Sequence, residues 1–427
     1  MFKTDLIENI LGTVNPGLRD RQITHCSIDS RKVNESGLFF AFQGENVDGH
    51  DFIVQLLKKK VVCIGSREIK TDNTGYVKVN NVLEFMIDLA KERRKQIRSQ
   101  VIALTGSNGK TSTRQLIVTM LRSVGKSVYA TRENYNNHLG LTLTVLNTPD
   151  NIDYIVLELG MNHSGEIAAL TKIAQPDVSV INNIGCAHIG NFNSMDELAN
   201  AKLELFDSTQ GLIVADMDNK YINEWVKKNE KAKNIFEYHS NNARMLYSDF
   251  LKYPRHTIEN LYCALNVVKV IKEKVPDLNA TLKNVILPVM RGEVKTVGKR
   301  KFVVDCYNAN PNSVRRSIEE FFERNKNEKD RKLYLVLGSM SELGAFSKSM
   351  HRELLNYIKK VSFLEVAFLI GHEFKRVKED FLNEKKMVFL NDVKGFLKKI
   401  PTTGTFLLKG SRNNRLEKVV EYLEKES

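Results

Sequence analysis

The sequence predicts an α/β protein of three domains: a central P-loop-type domain on a mostly parallel sheet, flanked by a small N-terminal α/β domain and a C-terminal Rossmann-like α/β domain. Three observations carry this expectation. The chain has 427 residues, more than one hydrophobic core usually serves. Short apolar runs bounded by turn residues alternate with helical stretches, the pattern of parallel strands covered by helices. The stretch Val101 to Thr111 joins an apolar strand to a helix through a glycine-bearing loop.

Residues 1–98 read as the first domain, with strands at 37–42 and 61–65 and a closing charged helix at 84–98. The second, 99–297, carries strands at 101–104, 154–159, 178–182 and 211–215. The third, 298–427, carries strands at 301–305, 333–337, 366–370, 387–390 and 405–409, and the polar segment 323–331 reads as a solvated loop. In such sheets ligands sit beyond the carboxyl ends of the strands.

The loop Thr105-Gly106-Ser107-Asn108-Gly109-Lys110-Thr111-Ser112 is built for phosphate. Its glycines let the backbone curl so that successive N–H groups point inward, and the following helix presents its positive end to the same place. Lys110 adds a point charge for the outer phosphates, and the Thr111 hydroxyl is a hard ligand for magnesium. Leu104 stands where the longer common spacing requires glycine, so the loop is the shorter T-G-x-x-G-K-T form.

The net charge of +13 leaves two partner classes, nucleic acid or small polyanions such as nucleotides. The basic residues are scattered among acids on helical stretches, with no aromatic-basic motif, so nucleic acid is not an expected partner. The five cysteines, Cys26, Cys63, Cys186, Cys263 and Cys306, are widely spaced and include no C-x-x-C pair, as in reduced cytoplasmic thiols rather than a zinc site. No apolar run has membrane-spanning length, and charges interrupt the first ten residues, so a cytoplasmic protein without membrane insertion is expected.

Other polar residues fall at strand ends near the loop. Glu158 can hold a metal ion or act as a salt-bridged acid. His188 follows the strand at 178–182 on the ligand side, where a structural histidine is the ordinary alternative. Lys202 lies among small and apolar neighbours on an amphipathic helix, and by itself reads as a snorkelling lysine.

In this order, Thr105–Thr111, Glu158-Leu159-Gly160, Asn183 to His188 and Ala201-Lys202 resemble the Mur ligases, ATP-dependent amide-forming enzymes of peptidoglycan precursor synthesis. The likeness spans all three domains. Asp29-Ser30-Arg31, the segment ending in Gly44, and Asp48-Gly49-His50 resemble the family's uridine-nucleotide-binding domain. Asp305 to Pro311, Leu337 to Gly344 with His351, and Lys409 to Arg412 are similar to the member that adds D-alanyl-D-alanine to UDP-N-acetylmuramoyl-tripeptide.

The resemblance implies a site. Lys110, Glu158, His188, Lys202 and Arg291 would be catalytic, with Lys202 carbamylated. Thr111 and Glu158 would hold one Mg²⁺, and His188 with the carbamate a second. ATP would lie on the loop residues Thr105 to Ser112, with Asn260 near adenine, Arg291 at the phosphates, and Asp305 and Asn310 closing from the third domain. Ser30, Arg31, Gly44, Asp48, Gly49, His50, Asn134, Asn136 and Asn137 would bind the nucleotide-sugar substrate, and a monomer is expected.

Departures from the family pattern are Thr257 for asparagine, Ser339 for aspartate and Glu133 for glycine. The alternatives are a diamino-acid-adding Mur ligase, a folylpolyglutamate synthase, or a basic P-loop ATPase that answers to nucleic acid. The absence of a D-N-P-R motif speaks against the diaminopimelate-adding member, and the Asp29 and Asp48 segments against the folate enzyme.

Overall fold

The computed structural model describes residues 2–426 apart from 14, 72, 133, 230–233, 287–289 and 328–330. Glu133 therefore lies outside the described residues. Three main sheets follow one another along the chain, beside a small antiparallel pair, Phe2–Lys3 with Gln22–Ile23.

The first sheet has four parallel strands in the order His25–Ser27, Gly37–Phe40, Val62–Gly65, Tyr76–Lys78. The central sheet has six parallel strands: Asn234–Tyr238, Leu212–Asp216, Val178–Ile181, Gln100–Thr105, Tyr154–Glu158, Val128–Ala130. The third runs Glu293–Val297, Arg300–Asp305, Gly404–Lys409, Leu333–Gly338, Leu364–Ile370, Met387–Leu390, with only the first strand antiparallel. Every strand expected from the apolar runs is present, its ends shifted by a residue or two.

Five strands of the main sheets carry no such signal: His25–Ser27, Tyr76–Lys78, Val128–Ala130, Asn234–Tyr238 and Glu293–Val297. All five lie on sheet edges. An inner strand is covered on both faces and reads as a continuous apolar run, whereas an edge strand is short and half-wet.

Two expectations need correction. The segment 323–331 is not all loop, because the helix Pro311–Asn325 runs through its first residues; Glu323 and Arg324 are exposed on its last turn, which gives the polar sequence. The strand Glu293–Val297 pairs with Arg300–Asp305, so the third sheet starts ahead of residue 298. The hairpin turns at Gly298, with φ +57°, where glycine avoids the steric penalty.

The phosphate loop stands on the middle of the central sheet. Val101, Ile102, Ala103 and Leu104 are fully buried and alternate faces, Val101 and Ala103 into one core and Ile102 and Leu104 into another. The first sheet is tied to this body by the helix Val82–Gln96, which Asn81 caps by accepting from the N–H groups of Leu83 and Glu84. From that helix the buried Arg94 donates to the carbonyls of Ala174 and Gln175 and to Asp177. These acceptors replace the water the guanidinium gives up.

Candidate functional site

Gly106 and Gly109 adopt φ of +155° and +77°, and space forbids a side chain at either. A Cβ on Gly106 would lie 1.7 Å from Asn182 Oδ1, and one on Gly109 2.4 Å from Asn260 Oδ1. The loop is sewn to the segment after the next strand. Ser107 Oγ donates to Gly185 O at 2.7 Å and accepts from Gly185 N. Asn108 N–H donates to Asn183 Oδ1 at 2.9 Å, and the side-chain amides of Asn182 and Asn183 both donate to Asn108 O at 2.7 Å. A cradle held from outside in this way is fixed before any phosphate arrives.

Lys110 opens the helix Lys110–Ser123 and donates to Gly106 O at 2.7 Å. Burial depresses its pKa, Arg291 and Glu158 acting in opposite senses upon it. The Thr111 hydroxyl donates to Glu158 Oε1 at 3.2 Å, and Asn136 Nδ2 reaches the same oxygen at 3.1 Å. Glu158 Oε2 is buried without a hydrogen bond, 3.4 Å from the guanidinium of the buried Arg114. Arg114 gives no sequence signal, since an arginine on an amphipathic helix ordinarily faces water.

No cluster of three or more His, Cys, Asp or Glu side chains suited to a metal occurs among the described residues. A magnesium ion held partly by substrate phosphates does not need one, because it keeps few protein ligands. The Thr111 hydroxyl and an under-bonded Glu158 carboxylate at the foot of the loop fit that role.

Lys202 is buried on the helix Met195–Ser208. Its pKa is driven well below the lysine range by burial and then by the charge of Lys110, with no acid opposing. At 1% exposure the side chain cannot snorkel to water, and burial favours its uncharged form. His188 has φ +66°, and its Nδ1 lies 2.9 Å from Glu342 Oε2 on the third unit.

The third unit reaches the loop directly. Asn310 caps the helix Pro311–Asn325 and donates from Nδ2 to Asn108 Oδ1 at 2.7 Å. Asp305 is paired with Lys409 at 3.0 Å and accepts from Ser317 Oγ. The Arg291 guanidinium lies over the Tyr307 ring, 4.6 Å from its centroid, and its Nε is buried without a hydrogen bond. Asn260 accepts from Thr113 Oγ1. Between the units, a cavity of about 210 Å³ is lined by His256, Asp305, Ser317, Glu320, Phe321 and neighbours. Ser112 is buried on the helix above the loop.

The N-terminal candidates form no hydrogen bonds to this set among the described residues. Arg31, exposed, is paired with Asp29 at 2.9 Å. Asp48 accepts from the N–H and ring Nδ1 of His50 and is paired with Arg67. His50 Nε2 in turn accepts from Ser66 N–H at 2.9 Å, so both its ring nitrogens are occupied and it shapes the Asp48 turn. Gly44 closes a tight turn with Val47, Gly49 packs on Phe42, and Ser30 is half-buried beside Arg31. Asn136 reaches Glu158, Asn137 caps the helix His138–Leu146, and the Asn134 carbonyl accepts from Asn136 N–H. Asn182, Arg114 and Glu342, which contact Asn108, Glu158 and His188 in turn, were not singled out from sequence.

Fold and site define the class: a three-sheet α/β protein whose phosphate loop faces a separate unit across a cleft. Family models match in chain order as the Mur ligase family catalytic domain at 22–103, the Mur ligase middle domain at 104–272 and the Mur ligase glutamate ligase domain at 290–411. The UDP-N-acetylmuramoyl-tripeptide--D-alanyl-D-alanine ligase of Rickettsia prowazekii (strain Madrid E) is 30% identical, over 93% of this chain and 94% of that protein. The enzyme of the same name from Bacillus subtilis (strain 168) is 29% identical over 98% and 97%. MurF from Acinetobacter baumannii has the same fold, with TM-score 0.84 over 99% of both chains at 24% identity. MurF ligase from Thermotoga maritima in complex with ADP gives TM-score 0.77 at 25% identity, over 94% of this chain and 98% of that one. The chain belongs to the Mur ligase family.

Proposed function

We propose that this protein is an ATP-dependent ligase that joins D-alanyl-D-alanine to UDP-N-acetylmuramoyl-tripeptide, giving the pentapeptide, ADP and phosphate. The observation that carries this reading is the meeting of a phosphate loop, the Lys110 side chain and the buried amine of Lys202 beneath a closing third unit. Full-length similarity to relatives named for that reaction supplies the substrates.

A carboxylate is a poor electrophile, so the tripeptide carboxylate attacks the γ-phosphorus of ATP, forming an acyl phosphate and ADP. The amine of D-alanyl-D-alanine then adds to the acyl carbon and phosphate leaves. The first step brings anion to anion. Lys110 and Arg291 supply fixed positive charge where the oxygens meet, the kind of preorganisation that usually contributes most to catalysis. Asn310 and Asp305 bring the third unit over the nucleotide, Asn260 borders the base, and closure excludes water from the acyl phosphate.

Magnesium, when bound, neutralises phosphate charge. Thr111 and Glu158 would hold one ion, and His188 with a carbamylated Lys202 a second. A neutral buried amine adds to carbon dioxide, forming an N–C bond and releasing one proton, which leaves a carbamate anion. Burial of Lys202 favours that neutral form.

Ser30, Arg31, Gly44, Asp48 and Gly49, with His50 acting through Asp48, would receive the uridine nucleotide, and Asn134, Asn136 and Asn137 the sugar side. We divide the chain near residue 98 and just ahead of the strand Glu293–Val297 into substrate, nucleotide and closing domains. We take the protein to act as a cytoplasmic monomer that needs no nucleic acid. No helix among the described residues is long and apolar enough to cross a membrane.

The test is incubation with ATP, Mg²⁺ and the UDP-linked tripeptide, with and without D-alanyl-D-alanine. ADP release in step with a nucleotide sugar heavier by one dipeptide is expected. An unextended tripeptide with all reactants present overturns the reading.

A further inference from the structure

The loop after the strand Leu333–Gly338 contributes nothing to the chemistry above, yet it is docked tightly on the central unit. Glu342 there has φ +62°, and His188 opposite has φ +66°, backbone states that cost energy for both residue types. Glu342 Oε2 lies 2.9 Å from His188 Nδ1, although the alignment falls short of a hydrogen bond. The backbones fix the same approach. Gly190 N–H donates to Glu342 O at 2.9 Å. A Cβ on Gly190 would stand 2.4 Å from Gly344 N, and one on Gly344 2.6 Å from Gly190 O, so only glycines allow the contact. Ile189, Phe192, Met340 and Leu343 are buried in one apolar cluster around it.

We propose that Glu342 is a positioning residue for His188, delivered to it by closure of the third unit. A histidine that ligates a metal through one ring nitrogen generally turns its other nitrogen to a carboxylate, which fixes tautomer and ring orientation. Here that carboxylate belongs to a different unit, so His188 is locked only when the third unit is seated. Assembly of the site is thereby tied to closure. Hydrogen bonds that are poorly aligned before ligands bind commonly tighten in the complex.

This inference rests on the ligase reading for the role of His188, and its test is separable from that reading because it needs neither tripeptide nor dipeptide. Mn²⁺ affinity is measured on the full chain with a non-hydrolysable ATP analogue. Glu342→Ala should weaken Mn²⁺ binding about 10- to 100-fold. Glu342→Gln, which keeps an acceptor in place, should recover most of that and lose only several-fold. In a His188→Ala background, Glu342→Ala should cost nothing further, as expected for groups acting as one unit. Wild-type affinity in Glu342→Ala, or an equal loss with and without His188, overturns the proposal. Should circular dichroism show Glu342→Ala unfolded, Glu342→Gln carries the cycle. A several-fold loss confined to the His188 background then supports the proposal; no loss, or the same loss in both backgrounds, overturns it.

Discussion

Around the phosphate loop, polar side chains are buried and bond across elements: Ser107 to Gly185, Asn108 to Asn183, Glu158 to Thr111 and Asn136, Asn310 to Asn108. In the first sheet the pairs are fewer and more open to water: Asp29 bonds within its turn to Arg31, and the Asp48–His50 pair adds Arg67 and Ser66. The difference separates two tasks. Groups wired across elements cannot relax when charge develops, so they stabilise a transition state without reorganising. Groups paired within a turn shape a surface, and their loss is felt as local loosening.

The largest expected effect lies on the wired side. Lys110→Ala should lower turnover on the order of 10²-fold or more, with an unchanged circular dichroism spectrum. Near-normal activity would remove the distinction at its strongest point. Next, Lys202→Ala should lose most activity and regain part of it when formate or acetate fills the gap. Full activity without additive would make the lysine merely structural.

The same lysine gives a pH signature. Its folded pKa lies well below the unfolded value, so between the two the unfolded chain binds more protons and stability rises with pH. Lys202→Met should therefore raise Tm more at about pH 6 than at about pH 9 in carbon-dioxide-free buffer. Equal shifts at both pH values would count against a depressed pKa.

Asn310→Ala removes one bond to the loop and should weaken ATP-analogue binding by about 1 kcal/mol, roughly fivefold. Titration calorimetry reads this, and unchanged affinity would detach the third unit from the nucleotide. The loss of the cap should also cost about 1 kcal/mol of stability.

The smallest effect belongs to the first sheet. The Asp29 carboxyl is held down to about 2, first by the Arg31 side chain and then by the Arg31 N–H. A depressed acid contributes stability above its unfolded pKa and loses it as pH falls through the folded one. Asp29→Asn should shift Tm by no more than about 2 °C at neutral pH, and the difference should vanish as pH falls from about 4 to about 2. A larger shift would mean that local pairs here bear on the whole fold.

Inner strands were legible because burial on two faces demands unbroken apolar runs, as at Val101 to Leu104. Edge strands such as Asn234–Tyr238 were not, since one side meets water and the run breaks up. In the site, the glycines, Lys110 and Thr111 announce themselves by spacing. Arg114 does not, because its burial depends on Glu158 from another strand. The depressed pKa of Lys202 likewise depends on the walls around it and then on Lys110. Glu342 lay within a quoted motif, but only the docking of two units shows what it faces.

On the proposed route, the charge around Lys110 lets the tripeptide carboxylate take a phosphoryl group from ATP. Tripeptide labelled with ¹⁸O in both oxygens of its reacting carboxylate tests this directly, by mass analysis of the phosphate released with the pentapeptide. Each phosphate formed should carry one ¹⁸O from the acid. Pentapeptide formed alongside phosphate free of ¹⁸O would contradict the acyl-phosphate route.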